Sequence, residues 1–180
     1  MNTKVLVSLA MLVGIGAVLH AIVPPIFFGM KPDMLLTMMF LGIFLFPEKK
    51  NIFILAIATG IVSALTTGFP GGQVANMIDK PITAFLFFVL FLTVRKFNQS
   101  IVAIAVLTAI GTIISGSVFL GSAAILFGLP GGASFAALFT AVVLPATAVN
   151  TVAMVIIYPI VSAILKRSKI AVPQSNSMKG

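Results

Sequence analysis

The chain has 180 residues, 60% hydrophobic and 8% charged, with a formal net charge of +8, whereas an ordinary soluble domain is roughly a quarter charged. So apolar a chain cannot cover itself with polar surface in water, so its solvent is lipid, and its length allows one helical bundle with no separate soluble domain. Cysteine is absent, and there are only three acids and one histidine, which excludes a disulfide framework and thiolate chemistry and leaves neither a metal site nor a cofactor to expect.

Six apolar segments follow in order: Val5–Val23, Met34–Phe46, Ile52–Phe69, Ile82–Val94, Ile101–Leu129 and Ser134–Leu165. Each is bounded by charge, Pro or a Gly-rich turn. In hydrocarbon every backbone amide must find its partner inside its own segment, so these runs predict helices. The alternation of a membrane β-strand is missing. The expected fold is an all-α integral membrane protein with six transmembrane helices over residues 1–169. A polar tail, 170–180, is expected to be disordered and is assigned no function.

The first span carries small residues, Ala10, Gly14, Ala17 and Ala21, whose spacings of three and four place them on one stripe suited to close helix contact. That contact could be internal or a docking face for another membrane protein. Lys4 ahead of an apolar run ending Leu19-His20-Ala21 also resembles a signal peptide. Leu19 is a poor residue at the position a cut after Ala21 requires, and cleavage would spoil the charge parity described below. His20, near the outer end, could relay protons, although a lone histidine there is more often interfacial. Phe27, Phe28 and Phe69 could stack on an aromatic solute, against the more usual role of an interfacial aromatic belt.

The second and fourth segments hold only about 13 apolar residues, roughly 20 Å of helix, against the roughly 20 residues that cross a bilayer. The missing outer length falls on Gly29-Met30-Lys31-Pro32-Asp33 and on Asn76-Met77-Ile78-Asp79-Lys80-Pro81. Both stretches are expected to be non-helical, a state tolerated at membrane depth only inside protein or beside a wet cavity. Short or broken segments at corresponding places point to a transporter's site. Lys31/Asp33 and Asp79/Lys80 could hold a zwitterion, carboxylate to ammonium and ammonium to carboxylate. The plain alternative is that Asp33 caps the second span and Asp79 with Lys80-Pro81 starts the fourth. Gln73 and Asn76 could contact a ligand through their amides, or merely wet a loop. Ser63, Thr66 and Thr67 are weaker candidates because such hydroxyls often bond back to their own helix.

The fifth and sixth segments are long. Small residues Ala105, Ala109, Gly111, Ser115 and Gly116 line the fifth, and Pro145 and Pro159 are expected to kink the sixth and free carbonyls. Between those prolines lie Thr147, Asn150 and Thr151. Asn150, deep in the span, needs a partner from another helix or a ligand. The turn Gly68-Phe69-Pro70-Gly71-Gly72 recurs 60 residues on as Gly128-Leu129-Pro130-Gly131-Gly132. With Val23-Pro24-Pro25 as a looser relative, the chain reads as three helical hairpins whose turns share one side.

Of the eleven Lys and Arg, only Lys31 and Lys80 fall on that side. Lys4, Lys49, Lys50, Arg95, Lys96, Lys166, Arg167, Lys169 and Lys179 occupy the other, as the positive-inside rule requires of six spans with both termini in the cytoplasm. Basic residues spread this way are loop anchors and not a nucleic-acid surface. An intramembrane enzyme would need a nucleophile–base pair or a metal cluster at depth, and none is assembled in the sequence. A non-transporting assembly or regulatory subunit is a further alternative that the small-residue stripes allow.

The runs Met30-Lys31-Pro32-Asp33-Met34-Leu35, Phe46-Pro47-Glu48-Lys49-Lys50-Asn51 and Phe69 through Pro81 resemble the bacterial TrpP-type tryptophan transporters. Those proteins are similar in size and topology to the S components of energy-coupling-factor transporters. The resemblance implies tryptophan uptake across the cell membrane, with Lys31, Asp33, Gln73, Asn76, Asp79, Lys80 and Asn150 as candidate solute contacts. It also implies an S-component-like bundle that docks through Ala10/Gly14 and Ala17/Ala21 on an energy-coupling membrane subunit. The chain has no GxxxxGK[ST] pattern, so any ATPase must be a separate protein. The alternative is a binding component for another vitamin-like or heterocyclic solute, dependent on such a module.

Overall fold

A computed structural model of the chain describes residues 2–25, 28–95 and 100–167. Phe27, Lys96, Lys169, Lys179 and the expected tail lie outside them. Six helices follow in order: α1 Thr3–Ile22, α2 Met34–Leu45, α3 Lys49–Thr66, α4 Gly72–Val94, α5 Ile101–Leu126 and α6 Phe135–Arg167. All but α2 are long and apolar enough to cross a membrane. Met11, Val18, Ile22, Leu65, Val89, Val102 and Val152 are exposed on their outer faces, as expected of helices solvated by lipid.

The short second segment is real, and its position explains it. α2 has 12 residues, all buried, about 18 Å of helix. It touches each of the other five helices. A helix apolar on every side is one buried on every side, so α2 is the axis of the bundle and the others surround it. Asp33 stands at its N-cap and accepts from the Leu36 N–H at 3.0 Å. Below it Phe40 stacks on Phe87 of α4 with ring centroids 3.9 Å apart, and Phe44 meets Phe91 and Tyr158 edge-on.

The fourth segment overturns expectation. Residues 76–81 are not an irregular approach to a short helix, and Asp79 does not start one. α4 runs unbroken from Gly72 for 23 residues, with Pro81 inside it. Proline costs a helix one hydrogen bond and some straightness, and here packing against α3 and α5 on either side outweighs that cost. Asn76, Asp79, Lys80 and Thr83 therefore lie at i, i+3, i+4 and i+7, one stripe of a helix, and all four are buried.

In α6 the break in regular α-helical bonding precedes the first proline. Phe139–Val143 form a π-turn ahead of Leu144-Pro145, a common device where the regular bonding ladder is interrupted. Pro159 lies within the helix beyond it.

The turns at 28–33, 67–71 and 127–134 meet at one end of the bundle, Gly29 against Gly68, Gly71 against Phe127 and Gly131 against Phe28. Gly29, at φ +78°, has no space for a Cβ, which would overlap the Gly68 carbonyl. Gly71, at φ +72°, would put one 2.6 Å from the Phe127 ring. Positive φ and contact with a neighbouring turn together require glycine at both, which gives the repeated turn motif a packing role.

Candidate functional site

The stripe on α4 meets the start of α2 at the closed end of the bundle. Lys80 Nζ lies 2.6 Å from Asp33 Oδ2 and 2.6 Å from Asp79 Oδ2, bridging two carboxylates that come from different helices. Asp79 is fully buried and has further donors: Thr83 Oγ1 donates to Oδ1 at 2.7 Å, one helical turn on, and Ser115 Oγ of α5 donates to Oδ2 at 2.8 Å. On the other side His20 Nδ1 stands 3.4 Å from Asp33 Oδ1, and Lys31 Nζ donates to the His20 carbonyl. The cluster holds two carboxylates and two ammonium groups, so it is balanced with His20 neutral. Charges out of water persist only when paired in this way.

These groups form one wall of a cavity of about 80 Å³. Its other lining includes Leu36, Phe69, Phe119, Val142, Val143 and Ala146, with Asn76 and Asn150 as neutral polar members. The Phe69 and Phe119 rings meet edge-on at 5.2 Å. Such a site, apolar with a few converging polar groups, is the usual form of a small-molecule pocket.

A family model described as "Tryptophan transporter TrpP" matches residues 2–166. The chain belongs to the TrpP family. Its relatives include a protein of Bacillus subtilis (strain 168), 61% identical over 93% of this chain and 96% of its own length, named "Probable tryptophan transport protein". Proteins of the same name from Clostridium acetobutylicum and Clostridium perfringens are 45% and 38% identical, over 88% and 94% of this chain and 91% and 97% of theirs. No solved structure matches the chain.

In this TrpP family member the sequence-predicted residues Lys31, Asp33, Asn76, Asp79, Lys80 and Asn150 gather around one cavity, and Gln73 stands apart, exposed at the start of α4 and not among its lining. Asp33 both caps α2 and binds Lys80. Asn76 donates to the Gly72 carbonyl at 2.9 Å, while neither amide atom of the fully buried Asn150 has a partner. His20 is buried against Asp33, not spread at an interface. Phe69 lines the cavity, and Phe28 is exposed at the turn. Thr66 bonds back to the Val62 carbonyl at 2.7 Å, and Thr67 accepts from the Phe69 N–H at 3.2 Å.

The stripe on α1 points away from the bundle. Ala10, Gly14 and Ala21 are exposed and Ala17 half-buried, and the close approach to α2 is made instead by Gly16, against Leu35 and Met38. Sequence reasoning missed Thr83, Thr112 and Phe119, and read Ser115 only as a small residue. The signal for Thr83 was its place four residues after Asp79, which a helix through Pro81 turns into a contact.

Proposed function

We propose that this protein imports tryptophan across the cytoplasmic membrane, with six spans, both termini inside, and the cavity facing outward. The names of its TrpP relatives support the solute. Lys49, Lys50, Arg95, Lys166 and Arg167, all at the helix ends opposite the cavity, support the orientation through the positive-inside rule.

The observation that carries the reading is the Asp33–Lys80–Asp79 bridge in the wall of a mostly apolar cavity. An amino acid is a zwitterion. It can enter a balanced cluster without adding net charge to the membrane interior, its ammonium taking a carboxylate and its carboxylate taking Lys31 or Lys80. Asn76 and Asn150 supply neutral contacts, and Phe69 and Phe119 supply faces for an indole. At about 80 Å³ the cavity has room for a few waters, less than the roughly 300–1,000 Å³ of pockets that enclose a ligand. A tryptophan therefore fits only if the cavity enlarges around it.

One observation favours a partner-dependent form of the same activity: the outward stripe Ala10, Gly14, Ala17 and Ala21 offers a surface on which an energy-coupling membrane subunit can pack closely.

Binding can be read directly, because the chain contains no tryptophan and one tyrosine. Indole emission from the purified protein in detergent then reports the solute alone. Saturable, blue-shifted emission on adding tryptophan is the expected result. Emission rising only in proportion to added tryptophan, as in protein-free micelles, overturns the reading.

A further inference from the structure

Asn150 is a polar group of the cavity wall whose hydrogen-bonding capacity is wholly unused. It is fully buried, and both Oδ1 and Nδ2 lack partners. Asn76 in the same cavity shows that an asparagine on a membrane helix can satisfy itself, since its Nδ2 donates to the Gly72 carbonyl four residues back at 2.9 Å. Asn150 makes no such bond to its own helix. Val143, Ala146 and Asn150, at spacings of three and four, share the face of α6 that lines the cavity. The neighbours of Asn150 on that wall are therefore aliphatic. The charged groups, and His20 beside them, come instead from the end of α1, the turn after it and α4.

The cavity therefore has an ionic wall and an apolar wall, with a single unpaired amide on the latter. Tryptophan has the matching division: a zwitterionic end, and an apolar ring system with one donor, the indole N–H. We propose that Asn150 is the specificity-determining residue of this transporter, its Oδ1 accepting the indole N–H while the ionic cluster holds the amino-acid end. The inference rests on the tryptophan reading and adds to it the group that tells tryptophan from an aromatic solute lacking the donor. A buried acceptor left unpaired penalises the analogue, which is how a site rejects a near-isostere.

The test is competition for labelled tryptophan uptake in cells expressing the full chain. The competitors are unlabelled tryptophan and 3-benzothienylalanine, in which sulfur replaces the N–H in a ring of nearly the same shape. The wild-type protein is expected to prefer tryptophan by roughly tenfold, the worth of one neutral hydrogen bond. Asn150→Leu, which keeps the branching and the number of side-chain heavy atoms, is expected to weaken tryptophan by a similar factor and leave the thia-analogue little changed, erasing the preference. A merely structural asparagine would lower both competitors' affinities together or neither, and that pattern overturns the proposal. A wild-type protein that does not separate the two compounds overturns it without any variant. Failure of the wild type to take up tryptophan both alone and with an energy-coupling module present overturns the transport reading and this inference with it, whereas saturable uptake with an unchanged ratio in Asn150→Leu overturns this inference alone.

Discussion

Lys80 of α4 reaches across the bundle to Asp33, the residue that caps α2, with Nζ 2.6 Å from Oδ2. One carboxylate thus caps the central helix with Oδ1 and anchors the charge cluster with Oδ2, so the proposed solute site and the axis of the fold share a side chain. The two roles separate by substitution. Asparagine caps helices about as well as aspartate, so Asp33→Asn keeps the cap and loses the charge, and Asp33→Ala loses both. Unfolding in detergent is expected to show Asp33→Ala less stable than Asp33→Asn by about 0.5–2 kcal/mol, the worth of a cap. Both variants are expected to lose uptake. Equal stabilities would mean that the cap contributes nothing.

Asp79 and Lys80 are expected to differ in what their loss does. Asp79→Asn leaves Lys80 still paired with Asp33 and should insert normally while abolishing uptake. Lys80→Met leaves two carboxylates facing each other without a cation, and removing one partner from a buried pair costs roughly 3–5 kcal/mol. The apparent melting temperature in detergent is therefore expected to fall further for Lys80→Met than for Asp79→Asn. The reverse order would contradict the bridging role of Lys80.

Gly111 of α5 lets two rings pack. A Cβ there would sit 2.6 Å from a Phe87 ring carbon and 2.7 Å from one of Phe40, and those rings are themselves stacked. Gly111→Ala is expected to destabilise by about 1–3 kcal/mol, the usual cost of overpacking, measured by thermal unfolding in detergent. An unchanged midpoint would show that the rings can shift at no cost.

The absence of cysteine makes single-cysteine labelling clean. With an impermeant maleimide on whole cells, Gln73→Cys is expected to label from outside and Lys50→Cys only after the membrane is opened; both positions are exposed. The opposite pattern would invert the orientation. Labelling at position 73 is expected to be unchanged by saturating tryptophan, since Gln73 stands apart from the cavity, and protection would bring it into the site.

Much of this architecture was legible in composition and in the punctuation between apolar runs, because lipid leaves the backbone few choices. The shortness of the second segment was legible, but it read as a span completed by irregular chain, and its burial on every side comes from the packing of the other five helices around it. Pro81 misled. Read as a helix start, it hid the stripe Asn76, Asp79, Lys80 and Thr83, which exists only if the helix passes through it. Ser115 was visible as a small residue, but its bond to Asp79 spans 36 positions and no local pattern encodes it. Asn150 was conspicuous from its type and depth; that it stands unpartnered on the apolar wall required the packing of α6 against α5.

The most direct test of the central claim is uptake of labelled tryptophan by a transport-deficient host that lacks any energy-coupling-factor module, with that module then added back. Saturable accumulation is expected, with the chain alone or once the module is present, and its loss in Asp79→Asn at equal membrane abundance. Uptake no greater than that of cells without the chain under both conditions, despite normal insertion, would contradict it.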